Sequence, residues 1–330
     1  MKIDRYENMK FRRLGKSGLK LPLISLGLWY GYGDVDSFDN SKQMILTAFD
    51  SGITHFDLAN NYGPAPGSAE TNFGRILFEQ LSGHRDELII STKAGYGMWP
   101  GPYGDGGSRK YLFSSLDQSL RRLKLDYVDI FYHHRPDPDT DLEETVMALG
   151  DLVKSGKALY VGLSNYSKSE TERAVPFMEK YNVPYVVAQP SYSMFNRNLE
   201  RDGLLDLQEQ VGAGTLTYQV LAQGLLTEKY ISGIPKTSRI EKAHCEWLQR
   251  SDLTQERMDQ LRDLKAIADL RGQTLSQLAI AWVLRDSRVT SALMGASSPE
   301  QIIQNVQAIN NLEFSAEELT QIDKILGGVK

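Results

Sequence analysis

The sequence has a single cysteine, Cys245, among its 330 residues. One thiol cannot form a disulfide within the chain, and it has no cysteine partner for a zinc site built from paired cysteines. We therefore expect a protein of a reducing compartment, with the cytoplasm as its location. No metal site is predicted.

The chain also lacks long hydrophobic runs. The longest uninterrupted apolar run has seven residues, 278–284, whereas a membrane-spanning helix needs roughly 20. The first residues, MKIDRYENMKFRR, are charged throughout and contain no apolar core like that of a signal peptide. Neither a membrane span nor export is predicted.

An excess of positive charge is missing as well. The 37 Lys and Arg residues and 42 Asp and Glu residues give a formal net charge of −5. Such a chain has no general basic field for gripping phosphates, so nucleic acid is not an expected partner. With 41% hydrophobic and 24% charged residues, the composition is otherwise that of an ordinary globular protein.

Two phosphate-binding motifs are absent. The first predicted strand leads into GLWYGYGD, whose glycines do not have the G-x-G-x-x-G spacing of an open dinucleotide-binding sheet. GKSG at 15–18 is not a phosphate-binding loop, because the position of the earlier glycine is occupied by Lys10. An open doubly wound sheet is the competing fold, and neither motif favours it.

What the sequence does have is a regular alternation of short β-branched or aromatic segments with longer amphipathic ones, which indicates βα units. The eight predicted strands are 21–28, 54–59, 88–94, 128–134, 160–165, 186–192, 215–221 and 291–296. Helical patterns lie between them, several ending at a glycine suited to a C-cap. Eight such units predict an α/β protein with a closed (β/α)8 TIM barrel.

One connection departs from this rhythm. Between the last two predicted strands lie an irregular stretch, 222–252, and two helical patterns, 254–272 and 274–286. A further helix, 315–326, follows the last barrel unit. No linker-like composition marks a boundary. We therefore expect a single domain over residues 1–330, with an insert after the seventh strand and an extra C-terminal helix.

Polar residues stand where the predicted strands end, at the edge where a (β/α)8 barrel carries its active site. Asp57, Lys93 and His134 belong to three consecutive strands, and Tyr62 lies just beyond the first. A buried charge is costly unless paired, so we expect Lys93 to pair with Asp57. The ammonium is expected to lower the pKa of Tyr62 and make it a proton donor that works without metal. His134 would orient a substrate oxygen.

Two other histidines lie near these positions. His55 lies two residues before Asp57 on the same face, and we interpret it as a hydrogen-bonded core histidine. His133 and His134 are neighbours on one strand, so they point to opposite faces and cannot chelate one metal ion.

Three segments, DLANNYG, STKAG and DIFYHHRP, carry an Asp-Tyr-Lys-His set that resembles, in order and placement, the tetrad of the aldo-keto reductases. The resemblance covers nearly the whole chain. NNYGPAPGSAETNFG, STKAGYGMWPGPYGDGGSRKYL and LAQGLLTEKYISGIP are similar to a branch that contains bacterial L-glyceraldehyde 3-phosphate reductases and is related to the β subunits of voltage-gated potassium channels. This resemblance implies a single barrel that binds a nicotinamide dinucleotide, usually NADPH, without a G-x-G-x-x-G motif.

The resemblance also implies a function, the reduction of small aldehydes or ketones, such as L-glyceraldehyde 3-phosphate or methylglyoxal, with NADPH as the hydride source and Tyr62 as general acid. NADH is the less favoured cofactor. The implied cofactor contacts are Trp29, Asp57, Ser164, Asn165, Gln189, Tyr218, Gln219, Leu221, Gln223, Gly224, Lys229, Arg239, Gly295, Ser297, Gln301, Gln304 and Asn305.

The sequence departs from the family pattern in two places. Gln219 and Val220 follow the stacking Tyr218, where relatives have a small hydroxyl residue and proline, so the pyrophosphate contact is altered. Ser298 stands where many relatives carry a basic residue, which leaves Arg239 as the main cation for a 2′-phosphate. NADPH is therefore favoured over NADH only moderately.

The substrate contacts expected from the sequence are Trp29, Trp99, Tyr103 and Arg109. The last three belong to the glycine- and aromatic-rich segment 95–111, which is either a substrate loop or a surface loop packed on itself.

Two other functions remain open: a nicotinamide-binding regulatory subunit with little turnover, and a Schiff-base aldolase that uses Lys93. His134 favours the reductase, because channel subunits tend to replace that histidine. The related branches also imply a homo-oligomer, a tetramer or larger.

Overall fold

The computed structural model describes residues 1–231, 233–234, 240 and 248–327. Its main strands are β3 Ile24–Gly27, β4 His55–Asp57, β5 Ile89–Ala94, β6 Val128–His133, β7 Ala158–Ser164, β8 Tyr185–Gln189, β9 Gly214–Thr217 and β10 Val289–Met294. They are parallel and close into a barrel in the order β10-β3-β4-β5-β6-β7-β8-β9. The (β/α)8 barrel predicted from the strand and helix rhythm is confirmed.

A short hairpin that the sequence did not predict precedes the barrel. β1 (Phe11–Arg13) pairs antiparallel with β2 (Lys20–Pro22). The predicted strand 21–28 was wrong in joining the end of β2 to β3, because Pro22 has no N–H to donate and the chain enters the barrel only at Ile24. Leu14 and Leu21 are fully buried and pack with residues of the barrel interior. The hairpin therefore covers the N-terminal end of the barrel.

Amphipathic helices form the outer layer and bury their apolar faces on the strands. They are α1 Phe38–Asp50, α2 Ser68–Ile76, α3 Arg109–Leu123, α4 Leu142–Lys154, α5 Lys168–Lys180, α6 Asn198–Arg201, α7 Leu204–Val211, α8 Gln255–Leu270, α9 Leu275–Leu284, α10 Pro299–Val306 and α11 Ala316–Ile325. Side chains fix where several begin, with capping boxes at Ser167, Thr274 and Ser315. Of these helices, only the short α6 had no counterpart among the helical patterns of the sequence.

Alternation along the strands divides the barrel interior into two halves. On β10, β3, β4 and β5 the inward side chains are mostly polar, namely Ser291, Ser25, His55, Asp57, Ser91 and Lys93. On β6, β8 and β9 they are mostly apolar, namely Ile130, Tyr132, Val187 and Leu216, although Gln189 at the end of β8 also points inward, to Asp57. We call these two sets the polar half and the apolar half, and every side chain in both is fully buried.

The apolar half depends on one glycine. Gly162 of β7 lies opposite Tyr132 of β6, and a Cβ at position 162 would come within 2.3 Å of the Tyr132 ring. Because the interior is close-packed, only a residue without a side chain leaves room for that ring.

After β9 the chain leaves the regular pattern, as the sequence indicated. Short turns of 3-10 helix lie at Ala222–Gly224, Glu228–Tyr230 and Arg250–Asp252, and α8 and α9 confirm the two predicted helices of the insert. Positions 232, 235–239, 241–247 and 328–330, which include Arg239 and Cys245, lie outside the described residues. The predicted C-terminal helix is α11, which packs on α8. In the described parts of the chain, no helix has both the length and the apolarity needed to cross a membrane.

Candidate active site

Four polar side chains meet at the C-terminal end of the barrel. Asp57 ends β4, Lys93 lies on β5, and His134 directly follows β6. Lys93 Nζ donates to an Asp57 carboxylate oxygen, to Leu58 O at 2.7 Å and to Tyr62 OH at 3.4 Å. The predicted pairing of Lys93 with Asp57 is confirmed, and Tyr62 reaches the same point from the turn after β4.

Tyr62 holds its proton firmly. Burial, followed by the charge of Asp57, raises the pKa of Tyr62 well above its usual value. The lowered pKa expected from the sequence was wrong, because burial penalises the phenolate and Asp57 offsets the charge of Lys93. Tyr62 is therefore a neutral phenol at physiological pH, which is the state a proton donor needs.

His134 is a neutral imidazole beside this phenol. Burial, followed by the charge of Lys93, lowers the pKa of His134 well below its usual value. The two rings meet edge-on, with centroids 5.8 Å apart for Tyr62 and His134. Nδ1 of His134 is buried and has no hydrogen-bond partner among the described residues. The ring therefore keeps unused hydrogen-bonding capacity next to the proton donor.

Aromatic rings enclose these polar groups. Trp29 stacks on Tyr62 at a centroid distance of 6.0 Å, and Tyr30 packs on Trp29 at 4.5 Å. On the other side, the rings of Tyr96 and His134 are 4.8 Å apart. Sequence reasoning missed Tyr30 and Tyr96. Each lies just beyond the end of a barrel strand, and that position is the sequence feature that could have identified them.

A cavity of about 400 Å³ opens beside Asp57 and Tyr62 and extends to the start of α10. Most residues predicted to contact a cofactor line it: Trp29, Asp57, Tyr218, Gln219, Leu221, Gln223, Gly224, Lys229, Gly295, Ser297, Gln301, Gln304 and Asn305. Thr274 and Ser276, at the start of α9, line the cavity too and were not predicted. The cavity volume lies within the range of ~300–1,000 Å³ common for small-molecule sites.

Apart from Arg239, which lies outside the described residues, the remaining predicted cofactor residues connect the tetrad to Tyr218. Gln189 Nε2 donates to Asp57 Oδ1 at 3.3 Å, and Ser164 Oγ donates to Gln189 O at 3.1 Å. Tyr218 OH donates to Asn165 Oδ1 at 2.6 Å. These hydrogen bonds fix two amides and a hydroxyl between Asp57 and Tyr218, and both of these residues line the cavity.

Helix α10 begins at the far end of the cavity. Ser297 donates to Gln301 Oε1 from both its backbone nitrogen, at 2.9 Å, and its Oγ, at 3.0 Å. Asn305, with 5% of its surface exposed, lines the cavity close by. Hydroxyls and amides beside a helix N-terminus favour an anionic or polar ligand. With Asp57, Tyr62 and Tyr218 at the other end of the cavity, this donor set fits a dinucleotide that lies along it.

The segment after Tyr218 has an unusual backbone. Gln219, Ala222 and Gln223 have φ angles of 58°, 45° and 60°, a left-handed region that is unfavourable for residues with a Cβ. The side chain of Gln219, one of the two family departures, accepts from Ser191 Oγ at 2.9 Å. This hydrogen bond to Ser191, which lies just after β8, therefore helps to hold residues 219–223 in their strained conformation at the cavity wall.

Of the four predicted substrate contacts, Trp29 lines the cavity and the other three lie elsewhere among the described residues. Trp99 packs on Tyr111 with centroids 5.2 Å apart. Tyr103 is 55% exposed, and Arg109 pairs with Asp151 at 2.6 Å on the outer helices. A role in substrate binding for these three residues stays a prediction.

His55 and His133 lie where the sequence placed them. His55 is fully buried and hydrogen-bonded to two serines, as expected of a core histidine. His133 turns away from the barrel axis, with Nδ1 2.6 Å from Tyr166 OH, whereas His134 adjoins Tyr62. Among the described residues, no group of three or more His, Cys, Asp or Glu side chains is placed to hold a metal ion.

The barrel and its tetrad define the class of protein. The chain belongs to the aldo/keto reductase family, whose sequence profile matches residues 23–327, and it is an oxidoreductase. The L-glyceraldehyde 3-phosphate reductases of Escherichia coli O157:H7 and Escherichia coli K12 are each 54% identical over 323 residues, 97% of this chain and 93% of theirs. A putative voltage-gated potassium channel subunit beta of Schizosaccharomyces pombe is 39% identical over 327 residues, 97% of this chain and 94% of that protein. The predicted resemblance is confirmed.

Proposed function

We propose that the protein reduces small aldehydes or ketones to alcohols, with NADPH as the hydride source and Tyr62 as the proton donor. The observation that carries the proposal is the Tyr62 hydroxyl within hydrogen-bond reach of the buried Lys93–Asp57 pair, at the end of a cavity suited to a dinucleotide. Membership of a reductase family supports it.

The chain has residues that would bind both ends of a dinucleotide. Ser164, Asn165 and Gln189 would hold the nicotinamide carboxamide, and the ring of Tyr218 would stack on the nicotinamide. Bound there, reduced nicotinamide supplies a hydride to a carbonyl carbon. The cavity residues from Leu221 onward would follow the pyrophosphate, and those at the start of α10 would hold the adenosine end. Preference for NADPH over NADH then depends on Arg239.

The proton that completes the alcohol comes from a side chain of this protein. Tyr62 OH donates to the carbonyl oxygen, and the phenolate that develops is stabilised by the Lys93 ammonium within hydrogen-bond reach. Asp57 keeps Lys93 charged in a site where burial lowers the pKa of Lys93. Neutral His134 donates a second hydrogen bond to the same oxygen and orients it. Trp29 and Tyr96 enclose the reacting group and limit its contact with water.

L-glyceraldehyde 3-phosphate is our first candidate substrate, because two relatives that share 54% of their aligned residues with this chain carry that name. Methylglyoxal is the second candidate. A nicotinamide-binding regulatory subunit with little turnover is the alternative function, and the channel-subunit relative favours it.

The experiment is an NADPH-oxidation panel with glyceraldehyde 3-phosphate, methylglyoxal and aromatic aldehydes, repeated with NADH. The proposal expects aldehyde-dependent oxidation of NADPH, weaker with NADH, and alcohol formed in equal amount. The matched control is the same protein and cofactor without aldehyde. Tight NADPH binding with no oxidation across the panel would favour the regulatory subunit and reject the reductase.

A further inference from the structure

Beneath the tetrad, the polar half of the barrel contains a continuous row of hydrogen-bonded side chains. Ser291 Oγ lies 2.7 Å from Ser25 Oγ, which lies 2.9 Å from His55 Nδ1. On its other side, His55 Nε2 lies 3.0 Å from Ser91 Oγ, and Ser91 Oγ donates to Asp57 Oδ1 at 2.5 Å. We call this row of five residues the buried column. It crosses four neighbouring strands and ends at the tetrad carboxylate.

The buried column is shut off from solvent. All five side chains, Ser291, Ser25, His55, Ser91 and Asp57, are 0% exposed. Away from water, a hydrogen bond is electrostatically stronger and a missing one is costly. Each of these polar groups therefore depends on its neighbour in the buried column for a hydrogen bond.

The chemistry of the groups fixes the direction of every hydrogen bond. An ionised carboxylate can only accept, so the Ser91 hydroxyl proton points to Asp57. Because Ser91 has donated its one proton, it accepts from His55, and Nε2 must carry the imidazole proton. Burial lowers the pKa of His55 to about 4, so the ring is neutral and Nδ1 accepts from Ser25. Ser25 in turn accepts from Ser291.

Every proton in the buried column thus points toward Asp57. Dipoles aligned in series polarise one another and favour negative charge at their positive end. Asp57 Oδ1 also accepts from Gln189, while Oδ2 accepts from Lys93. The buried column therefore stabilises the charge of the carboxylate and fixes which of its oxygens faces the ammonium beside Tyr62.

We propose that His55, Ser91 and Ser25 are positioning residues for the proton transfer from Tyr62, acting through Asp57 on Lys93. This role rests on the function proposed above. Turnover then depends on side chains that touch neither the substrate nor the cofactor, and its sensitivity to them falls with distance along the buried column from Asp57.

A spectroscopic test needs no activity. In the cofactor-free protein labelled with 15N-histidine, the His55 signals are assigned by their loss in His55→Gln. We expect long-range 1H–15N spectra at neutral pH to show a protonated Nε2 and an unprotonated Nδ1. A protonated Nδ1, or a doubly protonated ring, would reverse or break the buried column and overturn the proposal.

A kinetic test uses the full chain with saturating NADPH and measures the single-turnover rate of aldehyde reduction and the KM for the aldehyde. Ser91→Ala is expected to slow reduction about tenfold and Ser25→Ala about threefold, with KM unchanged. Ser91→Thr retains the hydroxyl and should restore most of the rate. Ser119→Ala is the matched control, because Ser119 is also 0% exposed but lies on the outer helix α3.

The double variant Ser25→Ala, Ser91→Ala shows whether the two serines affect the reduction rate through one pathway or independently. If the buried column acts through Ser91, Ser25→Ala causes no further loss of rate in the Ser91→Ala background. Independent losses in the double variant, or wild-type rates in both single variants, would contradict the proposal. If the wild-type protein reduces no aldehyde, the proposed function fails instead, and the protonation of His55 still decides whether the buried column is oriented as described.

Discussion

The two halves of the barrel interior are equally buried and chemically opposite. In the apolar half, side chains such as Val187 and Leu216 pack on one another and on the N-terminal hairpin. In the polar half, Ser91 and Lys93 are just as inaccessible, and each has a hydrogen-bond partner. Apolar burial stabilises the fold directly, whereas a buried ion pair such as Lys93–Asp57 is often no more stabilising than the apolar side chains that could replace it.

Because of this difference, we infer that the two halves have separate roles. The apolar half keeps the barrel closed, and the polar half holds one carboxylate, one ammonium and one phenol in fixed positions and charge states. Substitutions should therefore separate the halves. Those in the polar half should reduce activity, and they also reduce stability where a charge or a buried hydrogen-bonding group is left unpaired. Those in the apolar half should reduce stability and leave activity unchanged.

The largest effect is expected where a charge is left unpaired. Lys93→Met removes the cation and leaves Asp57 as a fully buried lone carboxylate. Removing one partner of a buried ion pair lowers the free energy of unfolding by about 3–5 kcal/mol. Loss of the ammonium next to Tyr62 should also abolish aldehyde reduction. Chemical denaturation and NADPH oxidation measure the two effects.

The double variant Asp57→Leu, Lys93→Met is the control for this prediction. Replacing both charges with apolar side chains should recover most of the lost stability and none of the activity. If Lys93→Met kept wild-type reduction, the polar half would not be the catalytic half.

A substitution in the apolar half should show the opposite pattern. Leu216 is 0% exposed, and Leu216→Ala should lower the free energy of unfolding by about 2–5 kcal/mol because it leaves a cavity. The rate of reduction per folded molecule should not change. Leu270→Ala is the control, because Leu270 is 89% exposed and its loss should change stability by less than about 0.5 kcal/mol. A slower Leu216→Ala enzyme of unchanged stability would remove the distinction between the halves.

A smaller loss of stability is expected at acidic pH. Burial lowers the pKa of His55 from 6.5 to about 4, so between these values the unfolded chain binds a proton that the folded chain does not. Stability is therefore unaffected above pH 6.5 and falls as the pH drops toward about 4, by up to about 3 kcal/mol for this group. Urea unfolding across this range should give a shallower dependence on pH for His55→Gln. Equal slopes for variant and wild type would show that His55 is not held neutral.

The barrel and the tetrad could be predicted from the sequence because both follow from the regular spacing of the strand-like segments. Eight strand-like segments set the fold, and Asp57, Lys93 and His134 stand where three of those segments end. The hairpin was missed because β1 and β2 have only three residues each and β2 runs almost directly into β3. At that length, apolar periodicity does not distinguish one strand from two.

The buried column and the protonation state of Tyr62 required three-dimensional information. Ser25 and Ser291 are small residues 266 positions apart in sequence, and only closure of the barrel brings β10 next to β3. The pKa of Tyr62 is raised by burial and then by the charge of Asp57. The sequence shows which charges are nearby but not how deeply they are buried, so the predicted direction was wrong.

The central claim is that Tyr62 donates the proton, and the most direct measurement compares Tyr62→Phe with Tyr127→Phe. Tyr127 lies just before β6, at the opposite end of the barrel, and contacts Arg85. NADPH binding is followed by fluorescence and aldehyde reduction by single turnover. We predict that Tyr62→Phe binds NADPH like the wild type but reduces aldehydes about 10²–10⁴-fold more slowly, while Tyr127→Phe is unchanged. Undiminished reduction by Tyr62→Phe would contradict the claim.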